Sequence, residues 1–252
     1  MKIGVIGAMR EEVALLARDL ADARVERRGA RDYLSGRLRG REAVVVFSGW
    51  GKVASASTAT TLIEVFGVDA VVFTGVAGAL SPDLAIGDMV IASETLQHDL
   101  DASAVPGIER YQAPSLGVSR FPADPGLAAA AEAAARRYLA ERMAGDVGED
   151  LMREFGLERP AVRTGLIVSG DQFISSAARA GEILAGLPDA LCVEMEGAAV
   201  AQVCYEHGRP CVVLRVISDK ADHAAPVDFP RFLSTVASHL TCGVVMGLMG
   251  AL

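Results

Sequence analysis

The stretch "ALCVEMEGAAVAQVCYEH" (190–207) decides the fold. Ala190–Glu194 is a short run that is apolar on successive rather than alternate positions, the pattern of a strand covered on both faces. From Glu196 to His207 the apolar residues recur at three-to-four spacing, the pattern of a helix with a buried stripe. A strand therefore runs straight into a helix, and two carboxylates, Glu194 and Glu196, stand at the join. Buried charges are expensive unless each finds a partner. Either the chain surfaces at this join, or the carboxylates hold something the sequence does not contain.

The same alternation extends outward. Strand-like runs recur as "KIGVIG" (2–7), "EAVVVFSG" (42–49), "DAVVFTGVAG" (69–78), "DMVIASETL" (88–96), "VRTGLIVSG" (162–170) and "CVVLRVISD" (211–219). Helical spacing runs through 9–22, 52–66 and 229–249. Strands alternating with helices predict an α/β protein with three αβα layers around a mixed, mostly parallel central sheet. "RDYLSGRLRGREAVVVF" (31–47) reads as a hairpin closed near Arg39–Gly40, which supplies the antiparallel part. Residues 125–158 are Ala-rich and read as helix broken near Gly145–Gly148. With no linker or repeat, residues 1–252 are expected to form one domain.

Composition narrows the function. The 252 residues are 51% hydrophobic with a net charge of −8, which argues against a nucleic-acid surface. The densest basic group, "RRGAR" (27–31), reads as a solvated loop. Cys192, Cys204, Cys211 and Cys242 sit in apolar surroundings without metal-ligand spacing, as in a reduced, cytoplasmic protein. The N-terminus lacks a signal-peptide core, and the closing "VVMGLMGAL" is too short to span a bilayer, so no membrane partner is expected.

Ligands of such folds collect beyond the carboxyl ends of the strands. Several strand ends here carry acids: Glu11–Glu12, Asp171, Glu194–Glu196 and Asp219, with Gly51, Gly75 and Gly78 nearby. Each has a plain structural reading as well. Glu11 and Glu12 suit the first turn of a helix, Asp219 suits a turn cap, Glu196 suits the start of its own helix, and Phe173 suits a core.

Taken together, "MKIGVIGAMREEV" (1–13), "SGWGKVAS" (48–55), "TGVAGAL" (74–80), "LIVSGDQFI" (166–174), "VEMEGAAVA" (193–201) and "LRVISDKAD" (214–222) resemble the 5′-methylthioadenosine/S-adenosylhomocysteine nucleosidases of the nucleoside phosphorylase/hydrolase superfamily. The resemblance implies hydrolysis of the N-glycosidic bond of an adenine nucleoside, by a homodimer needing no cofactor and no metal. It makes Asp219 the acid that protonates the purine, at the end of a buried-looking strand that favours the protonated carboxyl. It makes Glu12 the base that activates water. Glu196 would grip the ribose hydroxyls, hydrated until they arrive, with Met195 and Met9 against the sugar side. Phe173 would stack on adenine and the Ile174 backbone would read its edge. Arg215 would stand near the water and carboxylates, with a salt bridge to Glu194, and Ser218 beside the acid. Gly78 would lie along the ligand, and Phe229 would close over the base.

The sequence departs from the family pattern at Trp50 and Val76, and at Ala102 and Val105 in "HDLDASAV" (98–105), a segment that the resemblance implies lines the 5′-substituent pocket of the partner subunit; all four fall around the sugar and its 5′ group. These departures bear on the 5′ substituent and leave Asp219, Glu196 and Glu12 untouched. A phosphorylase is the nearest rival; Glu12 disfavours a phosphate dianion there, and Arg10 is the basic residue that could favour one. Hydrolysis of AMP or a futalosine-type nucleoside is a second rival, and a purine-binding protein without chemistry a third.

Overall fold

The computed structural model describes residues 1–157, 159–222 and 230–252. Strands β1 (Ile3–Gly7), β2 (Ala21–Arg28), β3 (Arg31–Leu38), β4 (Arg41–Phe47), β5 (Ala70–Ala79), β6 (Met89–Gln97), β7 (Arg120–Pro122), β8 (Val162–Ser169), β9 (Ala190–Glu194) and β10 (Cys211–Asp219) form one mixed sheet. The helices are α1 (Arg10–Arg18), α2 (Lys52–Glu64), α3 (Pro125–Glu141), α4 (Met143–Val147), α5 (Glu149–Glu154), α6 (Ala177–Gly186), α7 (Gly197–Glu206) and α8 (Pro230–Ala251).

Strand β5 organises the sheet because it changes partner along its length. Its first half pairs with β1 over Ala70–Phe73, and its end pairs antiparallel with β9 at Gly78 and Ala79. Along Val71–Gly78 it also pairs with β10. The run β10-β6-β8-β9 returns to β5 and closes a ring, while β1-β4-β3-β2 extends away from it. Among the described residues, five strand pairings are parallel (β1–β4, β1–β5, β5–β10, β6–β8, β8–β9) and five antiparallel, but the parallel ladders run over more residues, so the sheet is mixed and mostly parallel as expected.

The apolar runs are continuous because helices cover both faces. Val45 of β4 packs in one core with Val13 and Leu16 of α1 and Val245 and Leu248 of α8. Its neighbours Val44 and Val46 pack in the other, with Leu62 of α2 and Val200 of α7. Each such side chain contributes roughly 1.5–3 kcal/mol by leaving water.

Several sequence expectations need correction. The helix read over 9–22 ends at Arg18, and Ala21–Arg28 is an exposed edge strand. "RRGAR" is therefore not a loop but the tight turn joining β2 to β3, with Arg28 opposite Arg31. The hairpin turn at Arg39–Gly40 is as read. The Ala-rich segment is three helices, interrupted at Arg142 and Gly148; Gly145 lies inside α4. The closing apolar stretch belongs to α8, which by length and composition could cross a bilayer. Its apolar window is 61% buried, against α1 and α3, as in a core helix.

Candidate active site

Where β1 ends at Gly7 and before β9 begins to pair at Gly78, β5 has an edge without a strand on that side. Unpaired backbone donors on a buried edge need acceptors. Glu12, in the first turn of α1, supplies one: its Oε1 accepts from Val76 N–H at 3.1 Å, and its Oε2 accepts from Met9 N–H at 2.9 Å. The second contact ties the helix start back on itself, as a capping-box glutamate does. Thr241 of α8 adds a hydroxyl 3.1 Å from the Glu12 carbonyl oxygen. Glu12 is 2% exposed. Burial pushes its pKa up to about 7, against the lowering effect of Arg215 and of the backbone N–H groups of Met9, Val76 and Ala8.

A cleft opens at this fork in the sheet. Glu12, Glu196 and Asp219 all line it, together with Met9, Trp50, Val76, Gly78, Phe173, Ile174, Met195 and Ser218. Phe173 and Trp50 stand at its mouth, 47% and 63% exposed, while Ile174 and Val76 are buried in its wall. The bulge in β10 before Asp219 pairs this residue with Gly78. Its Oδ1 accepts from Ala221 N–H and its Oδ2 from the Ser218 hydroxyl, both at 2.8 Å. Gly75 and Gly78 of β5, about 10 Å apart along the strand, leave room for the side chains of Glu12 and Asp219: a Cβ would fall 2.6 Å from Glu12 Oε1 and 2.9 Å from Asp219 Oδ1.

The two carboxylates at the strand–helix join divide their roles. Glu194 is the structural one. It takes the N–H groups of Gly197 at 2.8 Å and Glu196 at 3.2 Å, the Ser169 hydroxyl, and the guanidinium of Arg215. Arg215 is 1% exposed, stacks 4.1 Å above the Phe73 ring, and donates to the carbonyls of Leu214 and Phe73. The expected salt bridge is present. Arg215 itself does not line the cleft; it lies behind the wall, where burial opposes its charge and Glu194, Glu12 and Glu196 raise its pKa.

Glu196 corrects the sequence expectation of a hydrated side chain awaiting ligand. It is 5% exposed, and its Oε1 accepts from Gly51 N–H at 2.7 Å. Burial first, then the Glu194 charge, pushes its pKa up to about 8. A backbone donor, not bulk water, is its polar partner in the cleft wall.

Arg10 is exposed over the Phe47 ring at 4.3 Å and does not line the cleft. Ala102 and Val105, expected at the site of a partner subunit, do not line this chain's own cleft, and Val105 is 52% exposed. Phe229 lies outside the described residues. Ala8, Ala77, Gln172, Val193 and Glu194 also line the cleft; of these, Glu194 was marked in the sequence as an acid at a strand end, and Gln172 could have been found as the neighbour of Phe173.

The phosphorylase superfamily model matches residues 2–246. A 5′-methylthioadenosine/S-adenosylhomocysteine nucleosidase of Actinobacillus succinogenes is 38% identical over 252 residues, covering 100% of both chains. The crystal structure of the nucleosidase of that name from Neisseria meningitidis, in complex with methylthio-immucillin-A, is similar at a TM-score of 0.87 and 36% identity, over 100% of this chain and 99% of that one. The futalosine hydrolase of Helicobacter pylori is similar at a TM-score of 0.81 and 33% identity, over 100% and 98%. Likeness that runs end to end, through both the sheet and the cleft, places the molecule: the chain belongs to the phosphorylase superfamily and, within it, to the 5′-methylthioadenosine/S-adenosylhomocysteine nucleosidases.

Proposed function

We propose that residues 1–252 act as one nucleosidase domain that hydrolyses the N-glycosidic bond of 5′-methylthioadenosine and S-adenosylhomocysteine, releasing adenine and the 5-substituted ribose. The observation that carries this reading is the meeting of Glu12, Glu196 and Asp219 in one cleft with Phe173 at its mouth. Breaking the bond leaves negative charge on the purine and positive charge on the ribose. Asp219 gives its proton to the base, with Ser218 and Ala221 N–H orienting the carboxyl. Glu12, held by two backbone donors, takes a proton from the attacking water. Glu196 accepts from the ribose hydroxyls, and its remaining charge favours the sugar cation.

Phe173 stacks on the base, the Ile174 backbone reads its edge, and Met9 and Met195 pack on the sugar side. Trp50 and Val76 shape the 5′ end and sugar wall, Gly78 leaves room beside Asp219, and Arg215 sets the charge of the acids from behind. The exposed apolar side chains Trp50, Val53, Val105 and Phe173 support a homodimer, because large apolar groups at a surface favour a partner. A cytoplasmic location and a part in methionine salvage accord with the substrates. Water rather than phosphate is the nucleophile, since Arg10 is turned onto Phe47 and the Glu12 carboxylate beside the nucleophile repels a phosphate dianion.

The test is release of free adenine from 5′-methylthioadenosine, S-adenosylhomocysteine, 5′-deoxyadenosine, AMP and futalosine, with and without phosphate. Phosphate-independent release from the first two is expected. Formation of a ribose 1-phosphate, or a preference for AMP or futalosine, overturns the assignment. Light scattering of the active enzyme checks the dimer.

A further inference from the structure

Three loops from three strand ends meet beside the cleft: residues 48–51 after β4, 98–99 after β6, and 170–176 after β8. Lys52, the first residue of α2, stands where they meet. Its Nζ lies 2.6 Å from Asp99 Oδ1 and 3.9 Å from Asp171 Oδ2. Its backbone N–H donates to Asp171 Oδ1 at 2.8 Å. Asp171 N–H donates in turn to Asp99 Oδ2 at 2.9 Å. The Lys52 and Asp99 side chains are only 18% and 20% exposed.

A cation in the first turn of a helix is misplaced with respect to the helix dipole, which there favours negative charge. The helix itself has no acid in that turn; both carboxylates that neutralise Lys52 come from other loops. The ammonium is therefore not explained by the stability of α2. What it does explain is the fixed position of its two neighbours. Gly51, one residue before it, gives the N–H that Glu196 accepts at 2.7 Å. Phe173 and Ile174 lie two and three residues after Asp171, on the loop that Asp99 and Lys52 hold.

We propose that Lys52 is a positioning residue for the reaction: through Asp99 and Asp171 it locks the loop that holds Glu196 to the loop that carries Phe173. The sugar grip and the base platform are thereby set at a fixed separation, as a site held within a fraction of an ångström requires. Lys52 touches no substrate and acts only through these neighbours. The inference rests on the nucleosidase reading above.

The test compares wild type with Lys52→Met, which removes the ammonium but keeps the stem and the N–H to Asp171, and with the near-isosteric Asp99→Asn. A charge-assisted hydrogen bond sets the scale of the loss, about tenfold in kcat/KM for methylthioadenosine. The loss is expected in KM, because Glu196 grips ribose in the ground state as well as in the transition state. Lys52→Arg recovers most of it, and the Lys52→Met/Asp99→Asn double variant is no worse than the poorer single one. The ascending pH limb of kcat/KM also moves up, because Glu196 loses a donor that holds its carboxylate form while Glu194, Arg215 and Glu12 still face it.

Unchanged KM and pH limb in both single variants, or additive losses, overturn the proposal. If Lys52→Met fails to fold by circular dichroism, Asp99→Asn carries the same readings. A wild-type enzyme that releases no adenine refutes the function itself; an active wild type beside kinetically unaltered variants refutes only the role of Lys52.

Discussion

Gly75 and Glu12 interlock: a Cβ on Gly75 would stand 2.6 Å from Glu12 Oε1 and 3.0 Å from its Cδ. No carboxylate accommodates that without leaving the Val76 N–H it accepts from. Gly75→Ala is therefore expected to displace Glu12, the proposed base, while Phe173 and Glu196, the proposed base platform and sugar grip, are left in place. The kcat for adenine release should fall by about 10²-fold or more, the scale of a lost general base, with the fold intact by circular dichroism. A wild-type kcat would show that Glu12 needs no fixed position.

Glu12 also writes a pH dependence into both activity and stability. Its pKa rises from 4.5 to about 7 on folding. Between those values the native chain keeps a proton that the unfolded chain has released, so stability falls as pH rises through that window. At 1.36 kcal/mol per pH unit the contribution is on the order of 3 kcal/mol. Glu12→Gln removes it, so the drop in unfolding free energy between about pH 5 and about pH 8 should be smaller than in wild type by urea titration. The same variant should lose roughly 10²–10⁴-fold in kcat. An unchanged pH dependence of stability in Glu12→Gln would contradict the raised pKa.

The buried pair Glu194–Arg215 predicts opposite shifts from its two partners. Arg215 lowers the pKa of Glu12 and Glu196, whereas Glu194 raises that of Glu196. Arg215→Met should move the ascending limb of kcat/KM to higher pH, and Glu194→Gln should move it lower. Each breaks a buried ion pair and should lose about 3–5 kcal/mol in chemical denaturation. Shifts in the same direction would mean that the charges do not reach the cleft.

What could be read in advance follows from the physics of each element. β9 and β10 were legible to the residue because helices cover both of their faces, which leaves continuous apolar runs. β2 was not, because every one of its residues is exposed and its alternation of Ala21, Ala23 and Val25 with Asp22, Arg24 and Glu26 is too weakly apolar to stand out beside the helical spacing that runs into it. α1 was read too long because Leu20 continues the helical spacing past Arg18 while the chain has already turned. The acids of the site were legible as charges at the ends of buried strands. The partner of Glu196 was not, since Gly51 lies 145 residues away and no local pattern announces a backbone donor. The fork in β5 was hidden for the same reason: partner switching is a property of the closed sheet, not of "VVFTGVAGA". Lys52, Asp99 and Asp171 look like ordinary loop charges until the three loops meet.

Asp219 gives the sharpest test of the chemistry because its surroundings tolerate the amide. In Asp219→Asn the amide oxygen can still accept from Ala221 N–H, and the amide nitrogen can donate to the Ser218 hydroxyl, whose own proton has the Ala77 carbonyl at 3.4 Å. The geometry around the base is therefore kept, and free adenine should still bind. What is lost is a carboxylic proton to place on the purine as the glycosidic bond opens. Turnover should fall by roughly 10²–10⁴-fold, with adenine affinity, measured calorimetrically, within a few-fold of wild type. Adenine release at the wild-type rate would remove Asp219 from the acid role, and loss of adenine binding together with turnover would make it a binding group instead.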